Sequence, residues 1–385
     1  MPSCIPIDYP RAMDIGLLGA LVIAGICGPL LAIPSRFGVP VAAGEIFIGV
    51  VLGRTGFSVI PVADPTLRTF STIGFALVML TAGSHVNFRA LANSSVMRTT
   101  IKVLLLNFIL SLGAGAAIAH LTGIRNWAVL SLIVFSSSAA FVVPLIASVT
   151  NSFNLSVLIA QVTIADTLSS ISLPFLMQSK SGTKALLGAL AVGVCCLVLF
   201  LLLKIANKKG WIVKVHLISK RMNLGLELRI SLGILLLLSA ISIQLQSSVL
   251  LAGFGIGVVL ASVGVPRRLA RQLFGISDGF FAPVFFILLG ASIDLRATFQ
   301  SEKTVLLVLV MVVGALVIHT SGILFGERPK EAVASIAQLG IPAAVVTLGS
   351  ANGVFTPGQS GAIMLSALAT LLMSSLALKK IQGEV

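Results

Sequence analysis

The sequence is poor in charge and especially poor in acids. Charged residues make up only 10% of its 385 residues, Asp and Glu together number 12, and 57% of the chain is hydrophobic. A soluble protein of this length could not remove so much apolar surface from water. The composition therefore excludes an ordinary soluble domain. It predicts an all-α polytopic membrane protein that forms a single domain over residues 1–385.

Several kinds of chemistry also lack their sequence signals. The four cysteines show neither the spacing of a zinc site nor that of a disulfide framework. Phosphate-binding loops, dinucleotide fingerprints and the Gly-x-Gly-Asp motif of intramembrane aspartyl proteases are missing. The net charge of +14 is spread over short loops and does not form a continuous basic face. We therefore expect neither an enzyme nor a cofactor, and no nucleic-acid partner.

Long apolar segments dominate what is present. The sequence predicts thirteen of them as transmembrane helices, with several interrupted by Gly or Pro. They are 13–33, 39–57, 69–84, 101–122, 127–149, 154–177, 183–205, 228–244, 247–264, 275–291, 304–325, 331–350 and 357–378.

The loops between these segments predict the orientation. With the N-terminus outside, 18 of the 26 Lys and Arg residues fall on the cytoplasmic side. That bias follows the positive-inside rule and places the C-terminus in the cytoplasm. We expect a multi-pass protein of the cell membrane or inner membrane.

The chain divides into two halves around a basic connection. A linker helix and basic loop at about 183–227 separate a first repeat at about 13–177 from a second at about 228–379. The first helices of the two halves start on opposite sides of the membrane, which is the parity of an inverted repeat. The repeat is inferred from topology, because the halves share no clear sequence identity.

The fifth segment of each half is interrupted. In the first half the interruption contains Ser136, Ser137 and Ser138, and in the second it contains Gly340 and Pro342. Proline removes a backbone donor and glycine weakens a helix. Matching broken helices in two halves indicate a transporter site near the bilayer midplane, although kinked helices are also common in membranes.

Asp166 is the most informative residue. It lies near the middle of the apolar run 155–177. A carboxylate at that depth costs from about 3 to more than about 10 kcal/mol, so it marks a functional site by default. We expect Asp166 to carry a proton or bind a cation. The alternative is a protonated carboxyl that holds two helices together.

Other polar residues complete the candidate set. Some share the helical face of Asp166 and others flank the interruptions. Glu45 is the only other acid well inside an apolar segment, where it lines the ion path or is hydrogen-bonded at a helix boundary. His120 and His319 are expected to pack, not to ligate. The predicted ion-binding residues are Asp166, Ser137, Ser138 and Thr163, and the possible path or gate residues are Glu45, Ser136, Ser169, Ser170 and Gln338.

Five motifs in order resemble one known family over nearly the whole chain. They are 40–53 (Pro-Val-Ala-Ala-Gly-Glu-Ile-Phe-Ile-Gly-Val-Val-Leu-Gly), 136–143 (Ser-Ser-Ser-Ala-Ala-Phe-Val-Val), 165–166 (Ala-Asp), 251–257 (Leu-Ala-Gly-Phe-Gly-Ile-Gly) and 280–290 (Phe-Phe-Ala-Pro-Val-Phe-Phe-Ile-Leu-Leu-Gly). Together they resemble the monovalent cation:proton antiporter superfamily, with its sodium/hydrogen-exchanger domain, and are most similar to the cation:proton antiporter-2 type.

The resemblance implies more than the residues alone do. It implies thirteen helices, a core domain with two crossed broken helices, and a panel domain through which two copies form a homodimer. It also implies that Na⁺, K⁺ or Li⁺ is exchanged for H⁺ by an elevator movement of the core.

The sequence departs from the family pattern at three places. Ala165 precedes the aspartate where relatives carry Asp or Asn, so one carboxylate remains and we expect electroneutral one-for-one exchange. No Lys or Arg lies within 272–295 or 331–378 to pair with Asp166. His85 replaces a Gly-Leu-Glu pattern at the end of the third helix, where we expect it to be solvated.

Two other functions stay open at this point. A sodium-coupled symporter of an organic anion has a similar inverted-repeat fold, but it would need basic residues inside the cavity. A non-transporting sensor or scaffold derived from an antiporter would explain the missing partners of Asp166.

Overall fold

The computed structural model describes residues 15–32, 40–84, 94–146, 152–177, 182–222, 224–245, 249–264 and 267–382. Within these ranges the protein is helical and contains no β-strand. The helices are α1 Ile15–Ala32, α2 Val41–Leu52, α3 Pro65–Ser84, α4 Ser94–Thr122, α5 Trp127–Phe135, α6 Ala139–Ile146, α7 Phe153–Met177, α8 Gly182–Lys208, α9 Trp211–Arg221, α10 Leu226–Gln244, α11 Val249–Val263, α12 Arg267–Ile276, α13 Ala282–Ser292, α14 Leu295–Phe299, α15 Glu302–Thr320, α16 Pro329–Ala334, α17 Gly340–Asn352 and α18 Pro357–Gln382.

The helices confirm an all-helical membrane architecture. Eight helical segments of the described ranges are long and apolar enough to cross a membrane, and shorter apolar helices of 10–17 residues accompany them. Each predicted apolar segment overlaps at least one of the helices. The figure of thirteen crossings stays a prediction, because length and composition alone do not show which of the shorter helices cross.

The basic stretch after α8 differs from the prediction. Part of it folds as α9, which follows the left-handed Gly210 (φ +68°). The His216 Nδ1 atom lies 2.5 Å from Glu227 Oε1, and the Ser219 hydroxyl donates to Glu227 Oε2 at 2.9 Å, so α9 is fastened to the start of α10. The density of basic residues had suggested a loop, but long basic side chains are compatible with an amphipathic helix.

The start of α3 also differs. The helix begins at Pro65, four residues before the predicted start. Asp64 Oδ1 accepts hydrogen bonds from the backbone N–H groups of Thr66 (2.8 Å) and Leu67 (3.0 Å). This is an N-cap followed by proline at the first helical position, so a helix forms where hydrophobicity alone gave no signal.

The helices pack as two groups. We call α1–α3, α8 and α10–α13 the panel bundle, because their most extensive contacts are with one another. We call α4–α7 and α14–α18 the core bundle for the same reason. Contacts of α6 with α3, and of α7 with α8 and α11, join the two bundles.

Glycine allows the panel helices to approach very closely. A Cβ atom added to Gly49 of α2 would collide with the carbonyl of Ile287 on α13. One added to Gly83 of α3 would collide with the carbonyl of Phe254 on α11. These contacts join main chain to main chain, which is the packing that small residues permit in membranes.

The core bundle contains both predicted interruptions, but the second lies at 335–339, and Gly340 and Pro342, predicted within it, are in the first turn of α17. Between α5 and α6, Ser136 is extended (φ −65°, ψ 151°) and its hydroxyl donates to the Ile133 carbonyl at 2.8 Å. Between α16 and α17, the Ser335 hydroxyl donates to the Ala332 carbonyl at 2.8 Å. In both places a serine side chain binds a carbonyl that the ended helix leaves free.

Candidate ion-binding site

Asp166 lies at the start of the second half of the first broken helix. Its side chain projects from α7, is 5% exposed, and accepts a hydrogen bond at Oδ2 from the backbone N–H of Ala139 at 2.9 Å. Ala139 is the first residue of α6, and the first N–H groups of a helix have no partner within it. Asp166 therefore caps α6 from a different helix, at an end that favours negative charge.

The neighbouring polar residues of α7 are buried with free hydrogen-bonding capacity. Thr163 Oγ1 and Ser169 Oγ have no hydrogen-bond partner within the described ranges, and Ser170 is 1% exposed. Buried polar atoms are nearly always paired with protein, water or an ion. The free hydroxyl oxygens on the helix of Asp166 are therefore available as ligands of a small cation or of its water.

The three serines of the first interruption have different contacts. Ser136 caps α5, as described above. The Ser137 hydroxyl donates to the Ser335 carbonyl at 2.6 Å and so joins the two interruptions directly. The carbonyl of Ser138 accepts from the N–H of Val142 at 3.0 Å, and its side chain is 4% exposed.

The second interruption is held by hydroxyl groups and has no acid at its helix start. The Ser374 hydroxyl donates to the Ala334 carbonyl at 2.6 Å. Leu339 precedes α17 and provides no side-chain cap. Gln338 is 1% exposed, and its Nε2 atom has no partner in the described part of the chain. Gln338 therefore lies beside the break, as predicted, with an unused amide.

Glu45 occupies a different place. It is 3% exposed on α2, and its side chain lies against Gly28 of α1. Asp278, in the π-helical turn Ser277–Phe281 between α12 and α13, interacts with it electrostatically. Glu45 thus belongs to the panel bundle and is not hydrogen-bonded to Asp166. Its role in the ion path stays a prediction.

His319, which was expected to pack, is buried with specific hydrogen-bond partners. It is 1% exposed near the end of α15, with Nδ1 3.0 Å from Ser335 Oγ and Nε2 3.2 Å from the Val134 carbonyl oxygen. Gln161 of α7 donates to the same Ser335 Oγ at 3.3 Å. A histidine in the last turn before a broken helix was the available signal, but its partners come from three other elements.

The expected lack of a cationic partner can be examined only in part. Within the described ranges no Lys or Arg forms an ion pair with Asp166. His85 lies outside the described residues.

A cavity of about 670 Å³ separates the bundles at the end of α2 and the start of α18. Arg54 and Arg68 line its panel side, and Thr347 and Ser360 line its core side. Asp166 is not among the lining residues, so the carboxylate is closed off from this cavity.

Comparison with known proteins points to one family. The family model described as "Sodium/hydrogen exchanger, transmembrane" matches residues 20–381. The chain is 24% identical to the putative Na⁺/H⁺ antiporter YjbQ of Bacillus subtilis (strain 168) over 394 aligned positions, which cover 96% of this chain and 63% of that protein. It is 29% identical to the high-affinity Na⁺/H⁺ antiporter NhaS3 of Synechocystis over 173 positions, 42% of this chain and 37% of that protein.

The fold also matches a solved structure. The sodium proton antiporter MjNhaP1 of Methanocaldococcus jannaschii, determined at pH 8, superposes with a TM-score of 0.59 at 16% identity and covers 95% of both chains. The chain spans less than two thirds of the length of the two curated relatives.

Proposed function

The chain belongs to the transmembrane sodium/hydrogen exchanger family, and from this premise we propose that it is a secondary antiporter, not an enzyme. It exchanges Na⁺ or K⁺ for H⁺ across a membrane through the single carboxylate Asp166. The observation that carries the proposal is the buried Asp166 carboxylate at the N–H of Ala139, where the first broken helix resumes.

The physical basis is competition for one buried negative charge. An unpaired carboxylate is costly away from water, and either a proton or a monovalent cation removes that cost. Asp166 supplies the charge, and Ser137, Ser138 and Thr163 supply neutral oxygens. Only the neutralised site crosses the apolar barrier, and this condition couples the two ion flows.

The same site accounts for the stoichiometry that we propose. With Ala165 before the aspartate, one carboxylate remains at the pair. Asp166 with a cation and Asp166 with a proton have the same net charge. Exchange is therefore one for one and electroneutral, and the membrane potential does no work on it.

The surrounding residues have secondary roles in the proposal. Ser136, Ser169, Ser170 and Gln338 line or gate the path to Asp166, and Glu45 does so from the panel. The protein is one domain of two inverted repeats with its N-terminus outside and its C-terminus in the cytoplasm. Li⁺ is a third candidate ion, and family resemblance supports a homodimer in the cell or inner membrane.

One observation favours a second function. Arg54 and Arg68 line the cavity between the bundles together with hydroxyl groups, and this lining suits an anion better than a cation. A sodium-coupled symporter of an organic anion would use such a cavity. The buried Asp166 and its free hydroxyl neighbours favour the antiporter.

The test is proton flux in proteoliposomes. A pH gradient is set, Na⁺, K⁺ or Li⁺ is added in turn, and collapse of the gradient is followed for the wild type and for Asp166→Asn. We expect cation-dependent collapse that is lost in the variant. Asp64→Asn is the matched control, because asparagine caps a helix as well as aspartate does and Asp64 lies at the exposed start of α3.

Three outcomes would contradict the proposal or part of it. If no cation changes the gradient and Asp166→Asn behaves like the wild type, a non-transporting sensor or scaffold is favoured. If Na⁺ drives uptake of labelled organic anions, the symporter is favoured. Rates that change when valinomycin and K⁺ set the membrane potential would contradict electroneutrality.

A further inference from the structure

The cavity between the bundles is lined by two arginines whose charge is not paired. Arg54 follows the end of α2, and Arg68 lies in the first turn of α3. Both side chains are exposed, and neither forms an ion pair with any residue that the structure describes. Two guanidinium groups on one wall of a cavity raise the local positive potential and attract an anion.

Two acids near this end of the bundles cap helices and do not line the cavity. Asp64 Oδ1 accepts the N–H groups of Thr66 and Leu67 at the start of α3. Asp294 Oδ1 accepts the N–H of Ala297 at 3.0 Å at the start of α14. The described lining contains no carboxylate. The charge of the two arginines is therefore left for a ligand or for solvent ions to balance.

The core wall of the cavity offers an unused hydrogen-bonding group. Ser360, in the first turn of α18, is 6% exposed and lines the cavity, and its Oγ atom has no partner in the described part of the chain. The Thr356 hydroxyl caps the same helix start by accepting the N–H of Gln359 at 3.2 Å. Buried hydroxyl groups are nearly always paired with protein, water or a ligand. The Ser360 hydroxyl is thus available to an occupant of the cavity.

Much of the remaining lining is apolar. Phe285, Leu288 and Leu289 of α13 belong to the panel wall, and Val346 and Phe355 belong to the core wall. The volume of about 670 Å³ falls within the range of roughly 300–1,000 Å³ that sites for small organic molecules occupy. A lone inorganic ion would reach the arginines and would leave the apolar walls in contact with water. The lining therefore fits a molecule that joins an anionic head to an apolar body.

We propose that this cavity is a binding site for an amphiphilic phosphate, which binds there and is not transported. Arg54 and Arg68 hold the phosphate head, because guanidinium groups bind its oxygens through paired N–H donors. A phosphate suits two guanidinium groups better than a carboxylate does, since it carries more charge and a third oxygen. The apolar body packs against Phe285, Leu289 and Phe355. The head belongs either to a phospholipid or to a free organic phosphate.

The site has a consequence for exchange, because its walls come from different bundles. Arg54 and Arg68 belong to the panel, and Ser360 belongs to the core. A ligand that contacts both bundles favours the arrangement in which both walls meet it. This consequence rests on the proposed antiport function. If exchange requires the bundles to move relative to each other, the bound phosphate slows exchange.

The first experiment measures binding and needs no transport. The purified protein is placed in phosphatidylcholine nanodiscs, and the binding of 1-naphthyl phosphate is followed by isothermal titration calorimetry. Neutral 1-naphthol provides the same apolar body without the head, and empty nanodiscs provide the background. We expect the phosphate to bind at least about tenfold more tightly than the naphthol, because only the phosphate can pair with the arginines. Equal affinity for the two probes would overturn the proposal.

Arginine variants locate the head of the probe. Arg54→Gln and Arg68→Gln should each weaken the binding of 1-naphthyl phosphate by about tenfold or more, since each removes charge-assisted hydrogen bonds. Both side chains are exposed, so neither change should unfold the protein. Arg296→Gln is the matched control, because Arg296 is an exposed arginine of α14 that does not line the cavity. Unchanged affinity in both cavity variants, or an equal loss in the control, would overturn the proposal.

Serine variants test the core wall in the same assay. Ser360→Ala removes the unused hydroxyl and should weaken binding several-fold. Ser366→Ala, on the same helix, removes a buried hydroxyl that donates to the Ile363 carbonyl at 2.7 Å and lies outside the cavity lining. It should leave the affinity unchanged. Equal effects of the two serine variants would show that the phosphate does not reach the core wall, and control of exchange by this site would be overturned.

Competition separates the two sources of the phosphate. Soluble dihexanoyl phosphatidylglycerol is added to the nanodiscs together with 1-naphthyl phosphate, and dihexanoyl phosphatidylcholine is the neutral control. Competition by the phosphatidylglycerol alone assigns the site to an anionic phospholipid. If neither lipid competes while the probe still binds through Arg54 and Arg68, the site is assigned to a free organic phosphate. Equal competition by both lipids would show that the apolar body alone is recognised and would overturn the proposal.

The last experiment tests control of exchange. Cation-dependent proton flux in proteoliposomes is measured with and without 1-naphthyl phosphate on both sides, and the ratio is compared within each variant. The ratio should fall several-fold in the wild type and stay near one in Arg68→Gln. Binding without any change of flux would overturn the control of exchange. Uptake of the labelled probe driven by Na⁺ would make it a cargo and favour the symporter. If the wild type does not exchange, the antiport function has failed, and the calorimetry still decides whether the cavity binds a phosphate.

Discussion

The two bundles are held together by different physical means. In the panel, helices touch main chain to main chain at glycines such as Gly49 and Gly83. In the core, the interrupted helices are joined by side-chain hydrogen bonds from Ser137, Ser374 and His319 to free carbonyls. The panel contacts are between backbones, whereas the core contacts are hydrogen bonds between side chains and backbone carbonyls.

Each bundle also contains a buried acid, and the two acids differ in their partners. Asp166 receives the N–H of a helix start, while Glu45 faces the acidic Asp278 and the glycine of a neighbouring helix. A helix start favours the ionised form, and a second acid disfavours it. In our proposal Asp166, in the core, is the acid that binds the ion, and Glu45, in the panel, lines or gates the path to it.

The largest expected effect is on proton flux, and it tests whether Asp166 and Glu45 have different roles. Asp166→Asn should lower cation-dependent proton flux in proteoliposomes by at least about 100-fold, because the only charge at the site is lost. Glu45→Gln should lower it by less than about 10-fold, an effect of the size expected for a residue outside the site. A Glu45→Gln flux as low as that of Asp166→Asn would show that Glu45 is as essential as the ion-binding acid and would contradict this division.

The close helix contacts of the panel should not tolerate even one added methyl group. Gly49→Ala places a methyl group on the Ile287 carbonyl and should lower the free energy of unfolding by on the order of 2 kcal/mol, seen as a lower melting temperature in detergent. Gly113→Ala in α4 is the control, since its added Cβ meets nothing within 4 Å and alanine favours a helix. If both variants melt like the wild type, the backbone contact is not what holds the panel.

A buried acid beside the second broken helix predicts a pH dependence of stability. Burial, together with the nearby charge of Glu331, raises the pKa of Glu327 from 4.5 to about 7. The folded protein then binds a proton that the unfolded chain releases, so its stability falls as the pH rises from 4.5 to about 7.

Glu327→Gln should remove that decline. Above about pH 8 the variant should be more stable than the wild type by on the order of 2 kcal/mol, and near pH 4.5 the two should converge. Thermal melting across this pH range measures the difference. Glu302→Gln, at an exposed side chain, is the control and should leave the curve unchanged. Parallel wild-type and Glu327→Gln curves would contradict the assignment.

The smallest effect concerns the contact between the two interruptions. Ser137→Ala removes the hydrogen bond to the Ser335 carbonyl and should cost about 1 kcal/mol of stability. Because the contact also positions the residues around Asp166, cation-dependent flux should fall several-fold with it. Loss of stability with unchanged flux would show that the contact serves the fold alone.

Much of the fold was accessible from sequence because apolar length and helix breakers act locally. Gly340 and Pro342 predicted the second interruption, and consecutive serines predicted the first. The helix α9 was missed because the density of basic residues, seven between 204 and 229, is typical of a loop between membrane helices. The early start of α3 depends on the Asp64 cap, which a hydrophobicity pattern does not include.

The candidate site was only partly accessible. Asp166 was identifiable, since an acid within an apolar helix is costly wherever its partners are. The role of His319 could not be identified from the sequence, because it depends on contacts with Val134 and Ser335 and, through Ser335, with Gln161. The sequence search for a Lys or Arg partner covered 272–295 and 331–378, and His319, which lies between them, was expected only to pack. The role of such a residue can be assigned from its tertiary contacts but not from the local sequence pattern.

The glycine contacts of the panel have a mechanical consequence. Where two backbones meet directly, the spacing between the helices is set by van der Waals contact of main-chain atoms, and no rotamer change can narrow it. In the proposed transport, relative movement of the two bundles would then be accommodated at the contacts of α6 with α3 and of α7 with α8 and α11.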